Sequence, residues 1–209
     1  MIKRGFDIVV AAIVLVVTLP VTAAAALLVR LTMGAPVLFR QRRPGLRGVP
    51  FELVKFRTMS VGDPNVVDPS QDHVRMTAVG RVLRRFSIDE LPQLLNVLRG
   101  DMSLVGPRPL LMEYLPLYST EQARRHDTRP GITGWSQVMG RNSLTWQDKL
   151  RLDVWYVDHR SLALDLRILM LTVSRVFSGS GVSAADHVSV SKFTGNSPAE
   201  SGATTGMNR

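Results

Sequence analysis

Asp89 and Glu90 stand side by side in "SIDELPQLLNVLRGDMSLVGPRP", residues 87 to 109, which ends on an arginine boxed between prolines, Arg108. Arginine's planar fork suits phosphate oxygens, and flanking prolines lower the entropy cost of holding it in one place. A second stiff turn, "RPGITGW" from Arg129 to Trp135, is followed by another arginine, Arg141, in "MGRN". The chemistry these cations offer is phosphate binding; the ordinary alternative is pairing with surface acids. The acids have an ordinary reading too. Ser87 and Glu90 fit a capping box, and Asp89 in the first turn would favour the helix dipole. Taken alone, the pair marks the start of a helix.

Stepping outward, Ile88, Leu91, Leu94, Leu95 and Leu98 recur at helical spacing, so the pattern predicts a helix from Ser87 to Arg99, stopped by Gly100. "MTAVGRVLRRF" predicts a short helix just before it, bearing Arg84 and Arg85. Earlier still, "APVLFRQRRPGLRGVPFELVKFRTMS" holds two strand-like runs around a turn-forming centre and reads as a β-hairpin. Lys55 and Arg57 share a strand face with Phe51 and Leu53, where they could serve a phosphate or form a solvated basic edge. "VGDPNVVDPSQDH" is a loop. "SLTWQDKLRLDVWYVDH" and "SLALDLRILMLTVSRVF" predict two helices whose Trp146, Trp155 and Tyr156 either pack inside or rest at headgroup level.

Of the net charge of +9, most falls in the first sixty residues, which hold nine basic and two acidic side chains. This surplus adjoins "IVVAAIVLVVTLPVTAAAALLV", Ile8 to Val29, a run of about 22 uncharged residues, long enough to cross a hydrocarbon core of about 30 Å. Pro20 near its middle divides it into halves of about 11 residues. Lys3 and Arg4 lie before it, and Arg30 with the Arg40 to Arg47 cluster after it, so both flanks resist export. A re-entrant hairpin that enters and leaves by one leaflet satisfies both; a spanning helix or a cleaved signal peptide remain alternatives.

Several classes drop out. The chain has no Cys, hence no disulfide framework, thiolate zinc site or cysteine nucleophile. His73, His126, His159 and His187 are scattered without metal spacing, and neither a P-loop nor a G-x-S-x-G elbow occurs. No helix-turn-helix, zinc-finger or ribonucleoprotein motif points to nucleic acid, so an anionic membrane surface is the expected partner of the basic surplus.

"KRGFDIVVA", "VLFRQRRPGL", "VKFRTM", "SIDELPQLLNVLRGDMSLVGPRPLL", "RPGITGWSQVMGRN", "LDVWYV" and "SLALDLRIL" occur in the order seen in the bacterial sugar transferases, the monotopic phosphoglycosyl transferases. The chain resembles that family from about Lys3 to Asn196, and most resembles its small members, those of PglC type. The resemblance implies transfer of a sugar 1-phosphate from a UDP-sugar to polyprenyl (undecaprenyl) phosphate with release of UMP, as the first membrane step of a glycoconjugate pathway. It implies that Asp89 is the nucleophile of a covalent phosphosugar intermediate and that Asp89 and Glu90 hold Mg²⁺. It places Lys55, Arg84, Arg108 and Arg141 on substrate phosphate. Likeness to the small members favours an N-acetylated amino sugar such as diacetylbacillosamine.

The expected architecture is α+β and predominantly helical. A re-entrant membrane helix hairpin spans 1–33, a cytoplasmic catalytic domain with a small β-hairpin and amphipathic interfacial helices spans 34–194, and a disordered tail spans 195–209. The kink falls at Leu19-Pro20, where some relatives carry Ser before the proline. The expected location is the cytoplasmic face of the bacterial inner membrane, against phospholipid. Ser87 is expected to cap its helix, whose free N–H groups would keep Asp89 ionised. A membrane-anchored phosphohydrolase and a noncatalytic scaffold are the rival functions.

Overall fold

The computed structural model describes residues 2–60, 75–140, 144–178 and 192–196. The loop expected at 61–73 and the site candidate Arg141 lie outside the described residues, as does the tail beyond Asn196.

The apolar run forms two helices, α1 (Ile2–Val17) and α2 (Leu19–Met33), bent by 63° at their junction. Pro20 sits in the first turn of α2, where its missing N–H costs no helical bond. The Thr18 hydroxyl donates to the Val14 carbonyl at 2.7 Å, and Thr22 to the Thr18 carbonyl at 2.8 Å, the kind of back-bonding that bends helices. A hydroxyl therefore does reach the kink, from one position before Leu19. No single described helix is long and apolar enough to cross a membrane; the bent pair together has the length and composition.

One face of each arm is core. Ala11 of α1 packs with Leu94, Val97, Met102, Leu104, Tyr156 and Ile168, while Ala25 and Val29 of α2 meet Phe56 and Leu83. The other face leaves Val9, Ile13, Val16, Val17, Leu27, Leu28 and Leu31 exposed. The first turns are also pinned by charge. Asp7, fully buried, accepts from the Ser103 hydroxyl at 2.8 Å and the Leu104 N–H at 3.3 Å. Lys3 pairs with Asp165, whose other oxygen accepts from the Tyr156 hydroxyl at 2.6 Å. Lys3 and Arg4 are thus internal partners as well as flanking charges, for Arg4 donates to the carbonyls of Val97 and Leu98.

The β-hairpin forms as predicted: β1 (Leu38–Pro44) pairs antiparallel with β2 (Pro50–Phe56), Leu38 opposite Phe56 and Pro44 opposite Pro50. Arg57, however, is not a solvated edge, and its terminal nitrogens face backbone carbonyls. It is buried and donates to the carbonyls of Met33, Gly34 and Ala35, satisfying the end of α2. Helix α3 (Ala78–Arg85) follows, capped by the Thr77 hydroxyl.

The helix predicted from Ser87 to Arg99 is broken. Ile88–Glu90 is a single 3₁₀ turn, and α4 (Gln93–Arg99) starts after Pro92. Proline cannot bond to the turn before it but suits a helix start, so the chain ends one helix and begins another there. Ser87 adopts a left-handed φ of 56° and makes no cap bond, contrary to the expected capping box.

Beyond α4 a short parallel pair forms, β3 (Ser103–Val105), just before the proline-boxed Arg108, beside β4 (Gly131–Thr133), which lies inside the stretch read as a stiff turn. Gly106, Gly131 and Gly134 let the two backbones touch: a Cβ on Gly131 would lie 2.1 Å from the Gly106 nitrogen, and one on Gly134 2.2 Å from the Gly106 oxygen. Helices α5 (Thr120–Ala123), α6 (Trp135–Met139), α7 (Trp146–His159) and α8 (Leu162–Ser178) complete the body. Of the three aromatic side chains left open by the sequence, Tyr156 is buried and Trp146 packs with Tyr114 and Phe193, whereas Trp155 is partly exposed, stacked on Trp135 and His159. Asn196 exchanges amide hydrogen bonds with Gln122.

Candidate active site

Four elements converge on the acidic pair. Lys55 comes from β2, Arg84 from the last turn of α3, Asp89 and Glu90 from the 3₁₀ turn, and Arg108 from the loop after β3. Asn96 in α4 fixes the strand to the helix that follows the pair. Its amide donates to the Glu52 carbonyl at 2.7 Å and its oxygen accepts from the Val54 N–H at 3.2 Å, imitating one more strand beside β2. Arg84 is held by the Thr58 hydroxyl, 3.0 Å from its Nε. Helix α3 reaches Thr58 only because residue 80 is glycine, since a Cβ there would stand 1.9 Å from the Thr58 carbonyl oxygen.

Asp89 is 5% exposed, and the charges of Glu90, Lys55, Arg84 and Arg108 all act on it. Burial raises its pKa above the ordinary 3.8, Glu90 raises it further, and the three cations oppose both. The sequence expected helix N–H groups to favour the ionised carboxylate; in the structure the pair sits on a one-turn 3₁₀ segment, and the groups that favour ionisation are the three cations. Lys55 is driven the other way. Burial first, then Arg84, lower its pKa to about 8, with Asp89 working against them; its ammonium also lies 5.3 Å from the Phe39 ring centroid. Glu90 accepts from Arg108 at 2.7 Å, and Glu90 is the largest cause of a raised Arg108 pKa.

The structure therefore brings together Asp89, Glu90, Lys55, Arg84 and Arg108. Sequence reasoning overlooked the residues that fix them: Asn96 and Thr58, and behind Arg108 the buried Arg125 and Asp153. Asn96 and Asp153 fall within quoted motifs but show no periodic signal, and Arg125 falls in none.

Two adjacent carboxylates, one buried among cations, can present an oxygen nucleophile to an anionic electrophile. Among the described residues no cluster of three or more His, Asp or Glu could cage a metal ion. Asp89 and Glu90 do fit the way Mg²⁺ is commonly held, by one or two carboxylates with water and substrate phosphate filling the rest.

The bacterial sugar transferase family model matches residues 1–179. This chain belongs to the bacterial sugar transferase family. Among its relatives in that family, the "uncharacterized sugar transferase EpsL" of Bacillus subtilis (strain 168) is 54% identical over 194 residues, covering 93% of this chain and 96% of the relative. The UDP-glucose:undecaprenyl-phosphate glucose-1-phosphate transferase of Caulobacter vibrioides is 45% identical, over 82% of this chain and 68% of the relative. A UDP-N-acetylgalactosamine-undecaprenyl-phosphate N-acetylgalactosaminephosphotransferase of Aeromonas hydrophila is 39% identical over 86% of this chain, which spans 44% of that sugar transferase.

Proposed function

We propose that the protein moves a sugar 1-phosphate from a UDP-sugar to undecaprenyl phosphate, by way of a phosphosugar carried on Asp89. The observation that carries this reading is the constellation at the pair: a buried Asp89 beside Glu90, under the field of Lys55, Arg84 and Arg108. The relatives' names support the donor and acceptor classes. Because those names include both glucose and N-acetylgalactosamine, the donor is drawn from UDP-hexoses generally, diacetylbacillosamine being one member of the panel to assay.

The chemistry follows from the charges. A carboxylate and a diphosphate repel one another, so the cations must neutralise the donor before an Asp89 oxygen can approach phosphorus. That oxygen bonds to the phosphorus bearing the sugar, and the bond from this phosphorus to the bridging oxygen breaks, UMP leaving with the electron pair. An oxygen of undecaprenyl phosphate then attacks the same phosphorus, the acyl phosphate bond breaks, and Asp89 returns as a carboxylate. Mg²⁺, held by Asp89 and Glu90 with donor phosphate, would supply charge neutralisation for both steps. Arg108, tethered to Glu90, faces the phosphates, and Arg84 and Lys55 complete the cationic wall; Arg141 is assigned to the same task by its place in "MGRN".

The membrane placement rests on the bent pair and its exposed apolar face. We assign α1 and α2 to a re-entrant hairpin in the cytoplasmic leaflet of the inner membrane, with α8 lying along it through exposed Leu162, Leu166, Met170 and Val173. A lipid-borne acceptor and a soluble donor can meet only at that boundary.

Purified protein incubated with Mg²⁺, a panel of UDP-sugars and undecaprenyl phosphate tests the reading. Lipid-dependent UMP release is expected for at least one donor. Lipid-independent turnover would replace the transferase with a phosphohydrolase, and no turnover with any donor would favour a scaffold. With donor alone, one sugar-phosphate mass is expected on Asp89; an adduct elsewhere overturns the assigned nucleophile.

A further inference from the structure

Arg108 presents an unsolved problem of placement. Its side chain is 47% exposed, and its bond to Glu90 lies where solvent weakens ion pairs, so that bond alone cannot hold the guanidinium in one position. The hold comes from the backbone. Three consecutive carbonyls of the Gly106–Pro109 loop each accept a hydrogen bond from a different part of the chain. The Gly131 N–H donates to Pro107 at 3.0 Å, an Arg125 guanidinium nitrogen to Arg108 at 2.7 Å, and Arg43 to Pro109 at 3.4 Å. Pro107 and Pro109 contribute no N–H of their own, so these acceptor contacts and the fixed proline torsions determine the loop's course.

The central contact is the costly one. Arg125 is 2% exposed and Asp153 3%, and the fold buries both charges. Asp153 Oδ2 accepts from Arg125 Nε at 3.2 Å and from its terminal nitrogen at 2.7 Å, while Oδ1 accepts from the Ser136 hydroxyl at 2.7 Å. Arg125 also reaches the Tyr118 hydroxyl at 3.4 Å. A buried ion pair adds little net stability over a well-packed apolar pair, whereas it does fix direction, because the guanidinium plane allows few arrangements of its donors. Here the same nitrogen that meets Asp153 also meets the Arg108 carbonyl, so the direction it fixes is that of the active-site loop.

We propose that Arg125 and Asp153, oriented by Ser136, are positioning residues for the transfer reaction, acting by holding the main chain of Arg108 so that its guanidinium faces Glu90 and the donor phosphates. The proposal rests on the assignment of Arg108 to substrate phosphate given above. Lysine at position 125 keeps the charge beside Asp153 but loses the fork that serves the carboxylate and the carbonyl together.

The test is a double-mutant cycle on the full-length protein with UDP-sugar and undecaprenyl phosphate, using Arg125→Lys, Arg108→Ala and both together. Arg125→Lys is expected to lower kcat about tenfold or more and raise the donor KM while leaving the KM for the lipid near wild type. In the Arg108→Ala background the same change is expected to have little further effect, because its target is gone. Wild-type kinetics for a folded Arg125→Lys, or full additivity with Arg108→Ala, would overturn the proposal. If Arg108→Ala alone has wild-type kinetics, the phosphate assignment fails first, and the positioning role with it. Should Arg125→Lys fail to fold, Ser136→Ala, which removes one bond to Asp153, is put through the same cycle and judged by the same two outcomes.

Discussion

Asp89 is a residue whose ionisation the fold resists and whose proposed reaction requires. Its pKa is raised by burial, so the folded protein takes up a proton on that carboxyl above the ordinary 3.8. The ionised form therefore costs stability, a cost fully present above the folded pKa and absent below 3.8. Asp89→Asn is expected to abolish turnover and yet raise Tm at neutral pH, the two proteins converging as pH falls towards 3.8; a lower Tm for the variant at neutral pH would contradict this. Lys55 gives a second prediction. Its ammonium is lost near pH 8, so kcat/KM should fall above about 8. In Lys55→Met that alkaline limb should vanish, and the acidic limb should move to higher pH, because the cation that lowers the Asp89 pKa has been removed. A pH profile of each variant measures both. The residue types at this site were legible in the sequence, since Asp89, Glu90 and Arg108 announce themselves by adjacency and by proline flanks. Their protonation was not, because desolvation depends on neighbours supplied by β2 and α3.

At the scale of elements, periodicity located the helices but not their interruptions. Five apolar residues from Ile88 to Leu98 keep helical spacing across a break at Pro92, so the pattern survives where the hydrogen bonds do not. The pair β3 and β4 escaped notice because strands of three residues leave no alternation to read. Arg57 was misread for a related reason. It falls one residue beyond β2, and the carbonyls that claim it, at and just past the end of α2, belong to a distant element. The tight seat of α3 on Thr58 leads to a prediction. Gly80→Ala forces the helix off the Thr58 carbonyl, at about 1–3 kcal/mol, and carries Arg84 away from the acidic pair. Lower Tm and at least a tenfold loss of kcat/KM are expected together, and full activity in a destabilised Gly80→Ala would show that Arg84 does not need that seat.

Across the whole molecule, the bent N-terminal pair was visible as an apolar run broken by Pro20, and the hydroxyl assistance from Thr18 was visible only in the structure. The proposed topology places both ends of the chain on one side. Reporters fused at Met1 and Arg209 are expected to read cytoplasmic, and they should still do so in Pro20→Ala, because each arm is held by its own cluster, Ala11 in one and Ala25 with Val29 in the other. Opposite readings for the wild-type chain would replace the hairpin with a span.

The pins at Lys3, Arg4 and Asp7 have a consequence for how this protein can be rebuilt. An anchor joined by a flexible leash can be exchanged for any other, but here the proposed anchor is also masonry: it neutralises Asp165, closes the carbonyl end of α4 and fills the interior with Ala11. A chimera in which a foreign transmembrane helix replaces residues 1–33 would reach the proposed surface with a hole in its own wall.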